Sequence, residues 1–303
     1  MKAYHFKISK LLAYCVLCVL LCGTTVIHAT QDPSIDSPLE QKIDDFVKQY
    51  RRKGPLASTE RTSFVIYDLT RKKKLVSINE DRQMMAASLI KNFVMLAYFH
   101  EVKHGRLTHT NTNRRHLEKM IRFSSNTSTN YFIKLIGGPY TVNRRLKANY
   151  SFFKQTKIIE YIPRNGRTYR NTTSAHDLNK FYVQLWYNNL PFSNKMKYYL
   201  ELPNGDYIYK RTRIPASTKV YNKTGTVYGL VGDSGILVLR DPKGNPRPYV
   251  FTGLIEDKTK TSTRRRRISF GAWVNQRASI LRGVSERAYG YIYNSYGGKF
   301  IVR

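Results

Sequence analysis

The sequence predicts an α/β fold of the α+β type: an antiparallel sheet formed by both chain ends, terminal helices on one face, and an inserted helical subdomain. Three observations lead there. Strand-like runs fall in two places only, between residues 63 and 79 and again after residue 215. A helix-patterned segment precedes the first group and another follows the second. The long stretch between them is helical or loop in character, and we place the insertion at about 106–215. Segments so ordered pack as layers around one sheet.

The first helix is predicted within 37–54, "SPLEQKIDDFVKQYRRKG". Ser37 is its cap, Pro38 lies in its first turn, and Leu39, Ile43, Phe46 and Val47 form its apolar stripe. "SFVIYDL" (63–69) and "KLVSIN" (74–79) form a hairpin around the charged turn Thr70–Lys73. A helix containing Ser88 runs to about Lys103, with Gly105 just past its end. "EKMIRF" and "TNYFIKLIGG" are helical around the polar interruption "SSNTST", and "SAHDLNKFYVQLW" (174–186) is a serine-capped helix. Strands follow at 218–226, 234–240 and 247–256, and a last helix at 264–284.

Composition bounds the rest. The chain has 303 residues, 41% of them hydrophobic, which suffices for a large core. Residues 1–29 pair a basic start (Lys2, Lys7, Lys10) with an apolar run ending in small residues, which is the pattern of a cleaved signal peptide. Residues 30–36 are a linker, 37–285 the folded domain and 286–303 a Tyr- and Gly-rich tail. The expected location is therefore periplasmic or secreted, with no transmembrane segment after cleavage. All three cysteines lie in the leader, so the mature chain has no disulfide, thiolate metal site or cysteine nucleophile. The formal charge is +32, of which the leader contributes three lysines. Two readings fit such a surface: electrostatic association with anionic cell-envelope polymers, or a general basic bias, which the scatter of the basic residues along the chain favours. The arginine run Arg264–Arg267 is the densest basic stretch, but no nucleic-acid motif accompanies it. His100 and His104 share a helix face without a third ligand, so no metal site is expected. A monomer is expected.

Three motifs occur in a fixed order: "SLIK" (Ser88–Lys91), "SSN" (Ser124–Asn126) and "KTGT" (Lys223–Thr226). Residues three apart share a helix face, so Lys91 reaches the Ser88 hydroxyl. Ser88, at a helix start, sits near the positive end of the dipole. The lysine acts as a base only when neutral. Its ordinary pKa of about 10.4 must therefore fall through burial or nearby positive charge, some of which Lys223 could supply.

On these motifs the chain resembles the penicillin-recognising serine hydrolases, most closely the class A β-lactamases. "MIRFSSNTSTN" is similar to the family's Ser-Asp-Asn element with Ser125 in place of the aspartate; "LIGGP", "RNTTSAHDL" and "RIPAS" fall where the family has related words. The resemblance covers residues 37–285 and implies a β-lactamase/transpeptidase-like fold and an acyl-enzyme mechanism without cofactor. It implies Ser88 as nucleophile, Lys91 as base and Ser124 as proton relay. Asn126, Lys223, Thr224, Gly225 and Thr226 bind substrate, with the Ser88 and Thr226 N–H groups as oxyanion hole.

Deacylation in class A needs a glutamate-held water. Glu160 is the candidate, 21 residues after Pro139, but it is followed by "YIPR", so Arg164 stands where the family has its water-holding asparagine, and Asn165 is one residue off. Ser88 and Ser124 are only 36 residues apart, which shortens one cleft wall, and "VGDSGIL" lacks a carboxylate-binding arginine that Arg211 or Arg213 would have to replace. Three readings follow: a β-lactamase opening the β-lactam amide; a D-alanyl-D-alanine carboxypeptidase or endopeptidase of peptidoglycan; and a catalytically retired wall-binding protein.

Overall fold

Strand β1 (Arg61–Asp68) organises the sheet because it pairs along both edges. It runs antiparallel to β2 (Lys73–Ile78) on one side and to β7 (Pro246–Glu256) on the other. With β5 (Lys219–Val227) and β6 (Leu230–Arg240) the order is β2-β1-β7-β6-β5, antiparallel throughout. Both chain ends thus share one sheet, as predicted. The computed structural model describes residues 37–163, 170–258 and 268–302, all within the unit Ile35–Arg303. The predicted leader, the linker, Arg164, Asn165 and the run Arg264–Arg267 lie outside the described residues.

Alternation along the strands divides two cores. Phe64, Ile66, Tyr249, Phe251, Val231 and Leu237 face α1 (Pro38–Arg52) and the last helix. Val65, Val250, Leu254, Leu230 and Ile236 face the helical subdomain. Successive side chains point to opposite faces, and both faces are covered. The central strands are therefore buried along nearly their whole length, polar positions such as Ser63, Asp233 and Ser234 included. Ser37 caps α1, accepting from Glu40 N at 3.0 Å, and its hydroxyl donates to Leu75 O of β2.

The subdomain is built on α2 (Ile90–Lys103), buried on every side from Ile90 to Glu101. Around it lie α3 (Asn111–Arg122), α4 (Asn126–Ile136), α5 (Pro139–Asn149), α6 (Ala175–Trp186) and α7 (Ser193–Glu201). A two-stranded sheet, β3 (Met84–Met85) with β4 (Thr172–Thr173), was not anticipated.

The final helix corrects the sequence reading at both ends. Helix α8 spans Phe270–Ser295, with Ser269 as its cap, so residues 286–295 are helix rather than tail. Gly283 and Gly290 look like terminators but serve close packing. A Cβ at Gly283 would lie 2.3 Å from Phe46 Cζ, and one at Gly290 2.9 Å from Phe300 Cδ1. Ala288, Tyr289 and Ile292 continue the buried stripe that holds the helix on the sheet.

Candidate active site

Ser88 lies in a 3-10 turn, Ala87–Leu89, immediately before α2, rather than in the first turn of an α-helix. Ala87 has φ +44°, a left-handed conformation that a residue with a Cβ holds only under constraint, and such strain concentrates at functional positions. Ser124 also has positive φ, +55°. Next to it, Ser125 caps α4 by accepting from Ser128 N at 3.2 Å. Serine and aspartate cap helices about equally well, so Ser125 performs this local task without a carboxylate.

Lys91 Nζ lies 2.7 Å from Ser88 Oγ and donates to Asn126 Oδ1 at 2.9 Å. The lysine is fully buried. Burial first, and the charge of Lys223 second, hold its pKa well below the ordinary lysine range. Among the described residues no carboxylate pairs with it. The arrangement favours a neutral amine against a serine hydroxyl, which is what a base requires.

Lys223 projects from β5, the edge strand, and is itself buried. Burial lowers its pKa to about 8, while Asp233 raises it. Asp233 sits on β6 behind it, accepting from Asn222 Nδ2 at 2.9 Å and Tyr207 N at 2.7 Å. Burial and then Asp206 hold the Asp233 carboxyl well above the usual carboxylate range. Tyr207 also reaches the strand, its hydroxyl 2.9 Å from Thr226 Oγ1. Asn222, Asp233 and Tyr207 escaped the sequence reading, although a polar pair in adjacent strands of an apolar sheet was a usable signal.

Gly225 fixes how closely β5 approaches the serine turn. A Cβ there would lie 2.8 Å from Leu89 Cγ and 3.2 Å from Leu89 N. Gly225→Ala is therefore expected to destabilise the fold by about 1–3 kcal/mol through overpacking. It should also slow covalent labelling of Ser88, because the strand must retreat from the turn; thermal melting and the labelling rate measure the two effects separately.

The loop carrying Glu160 is pinned by four polar side chains. Asp177, fully buried, accepts from the N–H groups of Lys154, Gln155 and Thr156 at 3.1, 2.9 and 2.7 Å. Asn143 accepts from Ile158 N, Asn171 holds Ile159 and Glu160, and Asn130 bonds both N and O of Ile162. Glu160 Oε1 accepts from Arg170 N at 3.0 Å. The His176–Asp177 contact of 3.0 Å thus belongs to a loop anchor, and Ser174 is the cap of α6.

The structure does not bring Arg211 or Arg213 to the site. Arg213 binds Glu286 of α8 through its backbone N–H at 2.8 Å and its guanidinium at 3.4 Å, and Arg211 lines a cavity with Arg282 and Arg287 of the same helix. The reason lies in Glu286, the carboxylate that claims the 211–213 segment for the far side of the sheet. His100 lies 3.1 Å from the Tyr150 hydroxyl and its ring meets that of His104 at 4.2 Å between centroids, tilted by 35°. Among the described residues no group of three ligating side chains is placed to hold a metal, and no helix is long and apolar enough to cross a membrane.

A family model described as the Beta-lactamase enzyme family matches residues 38–113 and 109–273. Among solved structures, PBP-A is similar at 20% identity and TM-score 0.66, covering 86% of this chain and 96% of its own. A PBP-A mutant captured as an acyl-enzyme complex with penicillin G gives 20% identity and TM-score 0.65, with the same coverage. An ancestral class A β-lactamase (GNCA) gives 18% identity and TM-score 0.62, covering 80% of this chain and 97% of its own. These likenesses are of fold. No curated protein matches the sequence.

Proposed function

This chain belongs to the Beta-lactamase enzyme family, and from that premise we propose that it is an exported hydrolase that opens the β-lactam amide by acylating Ser88. The observation that carries the reading is the buried Lys91 amine 2.7 Å from Ser88 Oγ. In the proposed reaction Lys91 takes the hydroxyl proton as Ser88 Oγ bonds to the amide carbonyl carbon. The Ser88 and Thr226 N–H groups receive the developing oxyanion. Ser124 passes a proton to the leaving nitrogen as the C–N bond breaks. Lys223 and Thr224 hold the substrate carboxylate, Asn126 its amide, and Gly225 keeps β5 close to the serine.

Glu160 is the proposed holder of the deacylating water. One observation favours a second reading, a D-alanyl-D-alanine carboxypeptidase or endopeptidase. The Glu160 carboxylate is engaged by the Arg170 amide at 3.0 Å, and the residue four places on is arginine. Mass spectrometry after penicillin exposure separates the two. A β-lactamase is expected to clear the Ser88 adduct and turn over many equivalents of a chromogenic cephalosporin, with Glu160→Gln prolonging the adduct. A stable one-to-one adduct, unaltered by Glu160→Gln, would instead establish the peptidase reading. No adduct at all, with Ser88→Ala indistinguishable from the parent, leaves the retired wall-binding protein.

A further inference from the structure

A cavity of about 580 Å³ opens between α1, α8 and the segment around Arg211, on the side of the sheet away from Ser88. Arg211, Arg282 and Arg287 line it, with Asn275 and Ser279 as neutral polar neighbours. Phe46 and Tyr50 form its aromatic wall. Phe46 is admitted by the missing Cβ of Gly283 and lies 3.6 Å beneath the Arg287 guanidinium. Glu286 also lines the cavity, but its two oxygens serve Arg213. Among the described residues, none of the three arginines forms an ion pair.

The three guanidiniums are oriented, not idle. Arg282 Nε donates to Lys210 O at 3.0 Å and Arg287 Nη1 to Gly283 O at 3.0 Å, which leaves other N–H groups of each free to turn toward a ligand. Burial and then the Arg211 charge lower the Arg282 pKa. An anion in the cavity would relieve that repulsion. A second cavity of about 750 Å³ adjoins the first, sharing Phe46 and Arg287 and adding Lys42 and Arg52, with Asp45 as an opposing charge. The basic lining therefore extends beyond the reach of one small ion.

We propose that the Arg211–Arg282–Arg287 cavity and its adjoining groove bind an extended acidic polymer of the cell envelope, at a site separate from the acylation site. Guanidinium forks match phosphate and carboxylate oxygens two at a time. The neighbouring cations suit a chain carrying repeated charges. Nucleic acid is the competing ligand. Binding to unpaired strands uses exposed aromatic faces for base stacking. The Phe46 face is occupied by Arg287, but Tyr50 and Tyr291 also line the two cavities, and the oligo(dT) probe decides between the two ligands.

The test uses the full chain and three labelled probes of matched charge: poly(glycerol phosphate), polygalacturonate and oligo(dT). Arg211→Gln/Arg282→Gln is compared with Lys134→Gln/Lys147→Gln, which removes equal charge from exposed positions on α4 and α5. The arginine pair is expected to weaken binding of a wall-type polymer about tenfold or more, and the lysine pair about twofold or less. Whichever of the two polymers binds more tightly identifies phosphate or carboxylate as the ligand charge. Equal weakening by both pairs, no weakening by the arginine pair, or oligo(dT) binding as tightly with the same loss would overturn the proposal. Penicillin labelling of Ser88 should be unchanged in the arginine pair, which reports an intact fold; if that pair does not fold, Arg211→Gln alone, at an exposed residue, carries the comparison with an expected loss of about threefold. Absent labelling in every form refutes the acylation reading and leaves this one standing.

Discussion

Lys91→Met is expected to slow acylation of Ser88 by about 10²- to 10⁴-fold, the range that a positioned base contributes. The same change is expected to stabilise the protein. The folded-state pKa of Lys91 lies below its unfolded value, because burial and Lys223 disfavour the charged form. The unfolded chain then binds the proton more tightly, and the native state is progressively destabilised as pH falls from the unfolded pKa toward the folded one. Methionine removes that penalty at similar volume, and a gain of about 1 kcal/mol raises Tm by roughly 2–4 °C in a domain of about this size. In the parent enzyme the acylation rate should fall on the acid side as Lys91 takes up its proton. It should fall again as pH rises through about 8, where Lys223 loses its charge. Stopped-flow labelling across pH, beside thermal melts of both forms, checks all four expectations. A methionine variant that acylates at the parental rate would remove Lys91 from the role of base.

Arg277→Met is expected to destabilise the fold by about 3–5 kcal/mol, since it strands a buried carboxylate. Arg277 on α8 meets Glu60, just before β1, through two contacts of 2.9 and 2.7 Å, with both side chains about 1% exposed. Glu60 Oε2 also accepts from Ala57 N at 2.7 Å. The pair thus ties the last helix to the entry of the central strand. Arg277→Met/Glu60→Leu should recover most of the loss, because a well-packed apolar pair avoids the desolvation that two buried charges suffer. Chemical denaturation of the two variants decides it. If the double variant is no more stable than the single one, the loss arises from packing rather than from the orphaned charge.

Much of the sheet was legible in the sequence, as was the contact between Lys91 and Ser88. Ser37, Ser174 and Gly105 marked helix ends by chemistry that acts within a few residues. The pairing of the chain ends followed from where the strand-like runs fell. The serine turn was less legible. Nothing in "AASLIK" announces that Ala87 takes a left-handed conformation, because tertiary packing imposes it. The 286–295 segment failed for a related reason. A glycine that admits a neighbouring ring looks, in one dimension, like a glycine that ends a helix. The loop anchors Asp177, Asn171, Asn143 and Asn130 were invisible because each satisfies backbone groups many residues away. Arg211 and Arg213 were assigned by proximity along the chain to β5, whereas the acid that claims Arg213 lies 73 residues further on.

The pairing of β1 with β7 also governs how the protein is made. Thr62 finds its partner Ile255 only after almost two hundred further residues have emerged. Until then β1 has the β2 hairpin on one edge and nothing on the other. A chain dominated by such distant pairings folds slowly, and a nascent chain ending before β7 has no finished sheet for α6 to pack upon. The residues that meet around Ser88 come from 88–126 and 223–226, yet the surface that holds them together is completed by the last strand. Ser88 is synthesised early and acquires its finished surroundings late, so the Lys91 amine and the Ser88 hydroxyl are set in place only in a chain that has been made almost to its end.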